Sequence, residues 1–315
     1  MFVSIRGRVL INVEALNMTE SVGNYVKHRR VPVISPTTYA TYFVPAISGE
    51  SIAHGFQEVL AEEAKKKGLP VCKLCEKGIF LKSTNESVFK GAFGSDPPKD
   101  EFEFEKSVVS KCTVEDVGGF LYAPRAGGNV KRTSNFYTGY MVPVKEAIEN
   151  TVIEPQLHSR YALGTPFVGR EEEARGQMIY YIELSSATYT FSFDFDDRYV
   201  GKTTFVYEKA GSEVVNDRKE RIRTTLDALQ KFLMEFMFGA KKTRFLPVVE
   251  WESMVIAVSD EVWTVPSPFT ANYIERAKKK LEKVNYNTKL FMYPEHGVFE
   301  EVVINALEDA KSRVK

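Results

Sequence analysis

Proton transfer near neutral pH would fall to His28, His54, His158 or His296, the chain's four histidines. A metal-independent ribonuclease needs a general base within reach of a 2′-hydroxyl and an acid at the leaving oxygen, which two histidines, or a histidine and a tyrosine, supply. His28 and His158 both neighbour arginines, in His28-Arg29-Arg30 and His158-Ser159-Arg160. The same setting suits a phosphate-binding surface, because imidazole stacks on bases and guanidinium grips phosphate in a planar fork. Spacing leaves catalysis and binding both open and favours binding.

Other chemistry is less well supported. Gly201-Lys202-Thr203 has the ending of a phosphate loop, but that motif requires a glycine where Asp196 stands, and no helix follows directly; a plain hairpin turn is expected. Cys72-Lys73-Leu74-Cys75 is half a zinc site, with Cys112 as a third thiol. No fourth ligand is evident nearby, so free thiols are expected and no metal or cofactor is assigned. Asp194, Asp196 and Asp197 could hold a hard cation, but the polar side of a strand reads better as a solvated face.

Cations are balanced overall, 42 Lys and Arg against 42 Asp and Glu, so any pull on nucleic acid must come from local clusters. Three clusters follow or lie in turns: Lys27-His28-Arg29-Arg30, Lys131-Arg132-Thr133-Ser134 after Arg125 and Gly127-Gly128, and Lys241-Lys242-Thr243-Arg244 after Gly239-Ala240. Hydroxyls and bare backbone beside cations suit a ribose-phosphate chain. Their repetition points to RNA.

The elements that must position them can be read coarsely. Ile5, Gly7, Val9, Ile11 and Val13 alternate with polar residues, the period of a strand with one buried face. Residues 17–36 are rich in turn formers and read as a long functional loop. Ser48 and Glu50 open a helix striped by Ile52, Phe56 and Leu60, which Gly68-Leu69-Pro70 ends. A strand over 178–196, a helix from Asp217 capped by Gly239 and a strand at Met254–Val258 follow, with glycine-broken segments between 68 and 176. With one strand supplied by that region, the order is β-α-β-β-α-β, an α+β, ferredoxin-like arrangement shared with RNA-recognition modules. A helix near 270–283, a strand near 288–293 and a helix near 298–313 extend it.

The first residues carry no apolar leader and no uncharged run reaches membrane-spanning length, so a soluble cytoplasmic protein is expected. At 315 residues with 43% hydrophobic composition, one elaborated domain is expected: core 1–67 and 177–260, inserted region 68–176, extension 261–315.

Val13-Glu14-Ala15-Leu16-Asn17, Gly23-Asn24, Lys27-His28-Arg29 and Val44 through Gly55 form an ordered set. Asp116-Val117-Gly118-Gly119-Phe120-Leu121-Tyr122, Gly139-Tyr140-Met141-Val142-Pro143, Gln156 through Arg160 and Gly239 through Pro247 continue it. Across nearly the whole chain this set resembles the DevR-type backbone subunits of the type I-A CRISPR Cascade complex. The resemblance implies a modified RNA-recognition core with inserted subdomains, crescent-shaped and without catalysis. Such copies would stack head to tail along the CRISPR guide RNA, present it to target DNA and meet other Cascade subunits. It also implies a thumb hairpin near 150–176, carrying His158, Arg160, Arg170 and Arg175. The guide would be gripped by Lys27, His28, Arg29, Arg125, Lys131, Arg132, His158, Arg160, Lys241, Lys242 and Arg244. Gly49 and Ser51 match a helix-start phosphate contact, weakened by Glu50 in front. An endoribonuclease of the same superfamily is the alternative. A target-RNA-cutting backbone would need an aspartate in the 17–36 loop, where only Glu20 is acidic.

Overall fold

The computed structural model describes residues 1–124, 128–161, 177–236, 238–242 and 244–315. In chain order, β1 (Phe2–Glu14) precedes β2 (Met18–Val22), β3 (Tyr25–His28), β4 (Arg30–Ile34), β5 (Thr41–Pro45) and helix α1 (Gly49–Lys66). Helices α2 (Glu86–Phe93), α3 (Glu101–Lys111) and α4 (Thr113–Gly118) lead to β6 (Phe120–Tyr122), β7 (Val130–Arg132) and β8 (Phe136–Thr138). Strands β9 (Val152–Tyr161) and β10 (Gln177–Asp196) precede α5 (Arg218–Glu235) and β11 (Val248–Ser259). Helix α6 (Tyr273–Leu281), β12 (Thr288–Tyr293) and α7 (Phe299–Ser312) complete the order.

Strand β1 is central, antiparallel to β10 from Phe2↔Asp196 and to β11 from Phe2↔Ser259. Short β8 pairs with the other edge of β10 at Phe193↔Thr138. The order β11-β1-β10-β8, with α1 and α5 in the two crossovers, is the βαββαβ arrangement expected. Strand β8 is the one the inserted region had to supply.

Alternation explains why this sheet forms. Val3, Ile5, Val9 and Ile11 point to one face and are fully buried with α1 and α5. Phe56 of α1 meets Phe136 and Phe193 edge-on, with ring centres 4.8 and 5.0 Å away. On the other face Val255 and Ala257 pack against Trp263, Tyr273 and Ala277. Strand β11 is therefore covered on both sides, which is why 254–258 is an unbroken apolar run.

Several expectations need correction. Residues 17–36 are not one loop: they contain β2, β3 and β4, of which β2 and β3 pair with each other, β3 also pairs with Tyr181–Ile182 of β10, and β4 pairs with β5. Pro32 is accommodated because β4 and β5 form a separate two-stranded ribbon with open edges. Helix α5 ends on Phe236, left-handed at φ 45, and not on Gly239. Gly201-Lys202-Thr203 is in a turn, as expected, and Lys202 meets Glu213 in an isolated antiparallel bridge. The three aspartates are buried and paired: Asp194 with Arg6 at 2.7 Å, Asp196 with Arg198 at 2.6 Å, Asp197 with the amino group of Met1 at 2.9 Å.

Candidate nucleic-acid interface

The segment after α5 is held by two close approaches. A side chain at Gly55 would place its Cβ 2.4 Å from Phe238 Cβ. One at Gly239 would come 2.6 Å from the Leu16 carbonyl oxygen, which accepts the Ala240 N–H at 2.8 Å. Gly239 also needs its φ of +88. Residues 238–240 are thus clamped between Leu16 and α1, and the basic run projects beyond them. Lys241 and Arg244 are exposed and Lys242 half-buried, and among the described residues no carboxylate forms an ion pair with them.

Two of the clefts that border this segment hold expected site residues. The first, of about 460 Å³, is lined by Asn17, Arg29, Ser48, Ser51, His54 and Lys242, among others. Asn17 organises it: its Oδ1 accepts from Arg29 Nε and from the Ser48 backbone N–H, both at 2.8 Å. Ser48 caps α1, so the positive end of an 18-residue helix faces the cleft. Glu50 and Glu58 also line it and weaken its pull on an anion. The second cleft, of about 450 Å³, is lined by Asn24, Tyr180, Lys241 and Arg244. Behind its lining, His158 stacks on Tyr180, with ring centres 5.3 Å apart and planes 24° apart, and Phe245 meets His158 edge-on. Cations beside aromatic faces are what single-stranded nucleic acid requires.

Not every expected residue reaches these clefts. His28 is a correction: its side chain is buried, with Nε2 2.6 Å from Glu14 Oε1 and Nδ1 2.8 Å from the Arg29 carbonyl. Burial disfavours its imidazolium, but the Glu14 hydrogen bond and charge outweigh that and hold its pKa above the ordinary 6.5. Tyr189, pushed well up by burial and by Glu14, keeps its proton and donates to Glu14 at 2.9 Å. Arg132 is a second correction. Its buried guanidinium pairs with Asp116 at 2.6 Å and Glu105 at 3.0 Å, and donates to the Lys202 and Tyr199 carbonyls. Asp116 also binds Arg221 and the Gly201 N–H, so this network fastens the inserted helices to α5.

Lys27 pairs with Glu20 at 3.3 Å in a separate recess beside Glu183. Lys131 is exposed on β7 and lines neither cleft. Gly49 serves packing, since a Cβ there would stand 2.8 Å from the Thr138 carbonyl oxygen. The Ser51 N–H is already engaged by the Ser48 cap. Arg125, residues 162–176 and the side chain of Arg160 lie outside the description.

The family described as CRISPR-associated negative auto-regulator DevR/Csa2 matches residues 5–278. The chain belongs to this family. It is 37% identical over 294 residues to the CRISPR-associated protein Cas7/Csa2 1 of Saccharolobus solfataricus, covering 92% of this chain and 88% of that protein. The aCascade subunit Cas7/Csa2 2 of the same organism is 37% identical over 284 residues, with 88% and 85% covered. A chain of a solved CRISPR RNA-guided surveillance complex, in a pre-nicking state, aligns with a TM-score of 0.50 at 10% identity. It covers 98% of this chain and 100% of its own length, a likeness of fold alone.

In this DevR/Csa2 chain, sequence reasoning passed over Asn17, Tyr180 and Phe245 as site residues. Asn17 lay inside a motif that carried the resemblance, yet its bridging role needs the fold. Tyr180 and Phe245 are ordinary aromatics until the β9–β10 pairing and the segment before β11 set them around His158.

Proposed function

We propose that the chain is a non-catalytic backbone subunit of a CRISPR RNA-guided surveillance complex, holding guide RNA along the two clefts beside residues 238–245. The observation that carries this reading is the convergence of Arg29 and the α1 N-terminus on Lys242, and of Tyr180, stacked on His158, on Lys241 and Arg244, in a chain whose relatives are named Cas7/Csa2. Phosphate contacts of this kind fix register without reading sequence, which suits a protein that must hold any guide. Head-to-tail copies along the guide, pairing of the guide to target DNA and a thumb between β9 and β10 belong to the same proposal. So does a one-domain organisation with residues 68–176 inserted in the core.

The endoribonuclease alternative is disfavoured by where its histidines sit. A general base must come within about 3 Å of the proton it removes. His28 is sealed against Glu14, and His158 is packed against Tyr180 and Phe245 with its Nε2 buried. The test is to purify the protein with its native nucleic acid, extract what accompanies it and run a denaturing gel with sequencing. Repeat-spacer RNAs of one length class, stable on incubation, are the expected result. Progressive shortening of added repeat RNA, abolished by His158→Ala, would establish the nuclease instead.

A further inference from the structure

We propose that Cys72, Cys75, Cys112 and Glu115 bind one structural zinc ion. The fold brings the three thiols together across 40 residues: their sulfurs lie within 4.8 Å of one another, and all are buried and free of disulfides. Around a tetrahedral zinc with Zn–S near 2.3 Å, sulfurs stand about 3.8 Å apart. Small side-chain adjustments therefore close the set.

The fourth donor comes from the α3–α4 junction. Cys112 ends α3 in an extended conformation at φ −149, and Glu115 follows in the first turn of α4, so the two share one side of the chain. Glu115 is fully buried, with Oε1 2.9 Å from Cys75 Sγ. Its Oε2 has no hydrogen-bond partner among the described residues. A buried carboxylate oxygen left unpaired is unfavourable, and a cation at the sulfurs would relieve it.

The backbone around the thiols is arranged for thiolates. The Cys72 N–H donates to Cys112 Sγ at 3.3 Å and the Cys75 N–H to Cys72 Sγ at 3.4 Å, contacts that stabilise charge on sulfur. After Cys75 a single 3-10 turn ends at Gly78, left-handed at φ +71, and leads the chain out of the knuckle. The Thr113 N–H donates to the Pro70 carbonyl at 2.8 Å, holding the two ligand segments side by side. Lys82, bonded to the Gly118 and Gly119 carbonyls at 2.6 and 3.1 Å, brings positive charge to a site rich in negative donors. Thiolate softness selects zinc over magnesium or calcium. Burial of every ligand makes the site closed and structural, pinning the segment after α1 to the start of α4.

The experiment uses the full-length protein, reduced and purified without chelator. Elemental analysis should find one zinc per chain. Cobalt(II) titrated into zinc-stripped protein should give a thiolate charge-transfer band with the intense visible bands of tetrahedral coordination. Glu115→Gln should weaken cobalt binding at least about tenfold, as a lost or misdirected ligand does. Cys112→Ser should abolish the spectrum, and the wild-type titration stands by itself if that variant does not fold. Folded, reduced wild type with neither zinc nor the cobalt bands would overturn the site, and Glu115→Gln binding cobalt like wild type would remove its fourth ligand.

Discussion

Replacing Lys241, Lys242 and Arg244 together by Gln separates a phosphate-gripping segment from a solvated turn. Each cation that displaces counterions from single-stranded phosphate adds about 0.7 to the slope of log affinity against log salt. Three such contacts are worth a slope of about 2, so over a fourfold rise in salt the wild type should lose roughly twenty-fold more affinity than the variant. None of the three side chains is fully buried, and the clamp at Leu16 and Gly55 uses the backbone of 238–240 and Phe238. Folding stability should then stay within about 0.5 kcal/mol of wild type. Anisotropy of a labelled, unstructured RNA measured at several salt concentrations gives the slopes, and urea unfolding supplies the control. Two RNAs of unrelated sequence should lose affinity alike, because phosphates carry no sequence information. A slope unchanged from wild type, with the fold intact, would refute the placement of RNA on this segment.

Arg132→Ala should behave in the opposite way, since it strands the buried carboxylates of Asp116 and Glu105. About 3–5 kcal/mol of stability should disappear in urea unfolding, and loss of RNA affinity without destabilisation would show that the residue had been misplaced. Stability should also decline as pH rises, because the His28 pKa is raised in the fold. Its contribution is complete below the unfolded value near 6.5 and is lost as pH climbs through the higher folded value. Urea midpoints from pH 6 to 9 should therefore fall in wild type and flatten in His28→Gln; parallel curves would count against the Glu14 pair. Gly55→Ala should cost about 1–3 kcal/mol through overpacking on Phe238 and weaken RNA binding beyond that loss. A variant as stable as wild type would mean that α1 and Phe238 are not in contact.

Local pattern revealed what local physics decides. The alternation of β1, the Ser48 cap, the stripe of α5 and the apolar run of β11 each follow from a period or a capping rule. The inserted region was harder, because β8 is only three residues long and exists as a strand only through the edge of β10. At the candidate site, a basic run showed its charge but not its surroundings. Lys241 and Arg132 look alike in sequence, yet one projects into solvent while the other lies between Asp116 and Glu105. That difference is set by residues up to 70 positions away, where the Lys202 carbonyl takes up Arg132. Glu115 was hidden for a similar reason, standing beside Cys75 across 40 positions of chain.

Strand β10 runs for 20 residues without a glycine or proline. Its second half is sandwiched between β1 and β8 in the core, and its first half carries β9 and borders β3 beside the second cleft. One continuous strand therefore joins the second cleft to the core. The direction of Tyr180 relative to the core is set by the pairing of β1 with β10, not by a joint between separate elements. A substitution that broke the β1–β10 pairing would thus disturb the cleft and the core together.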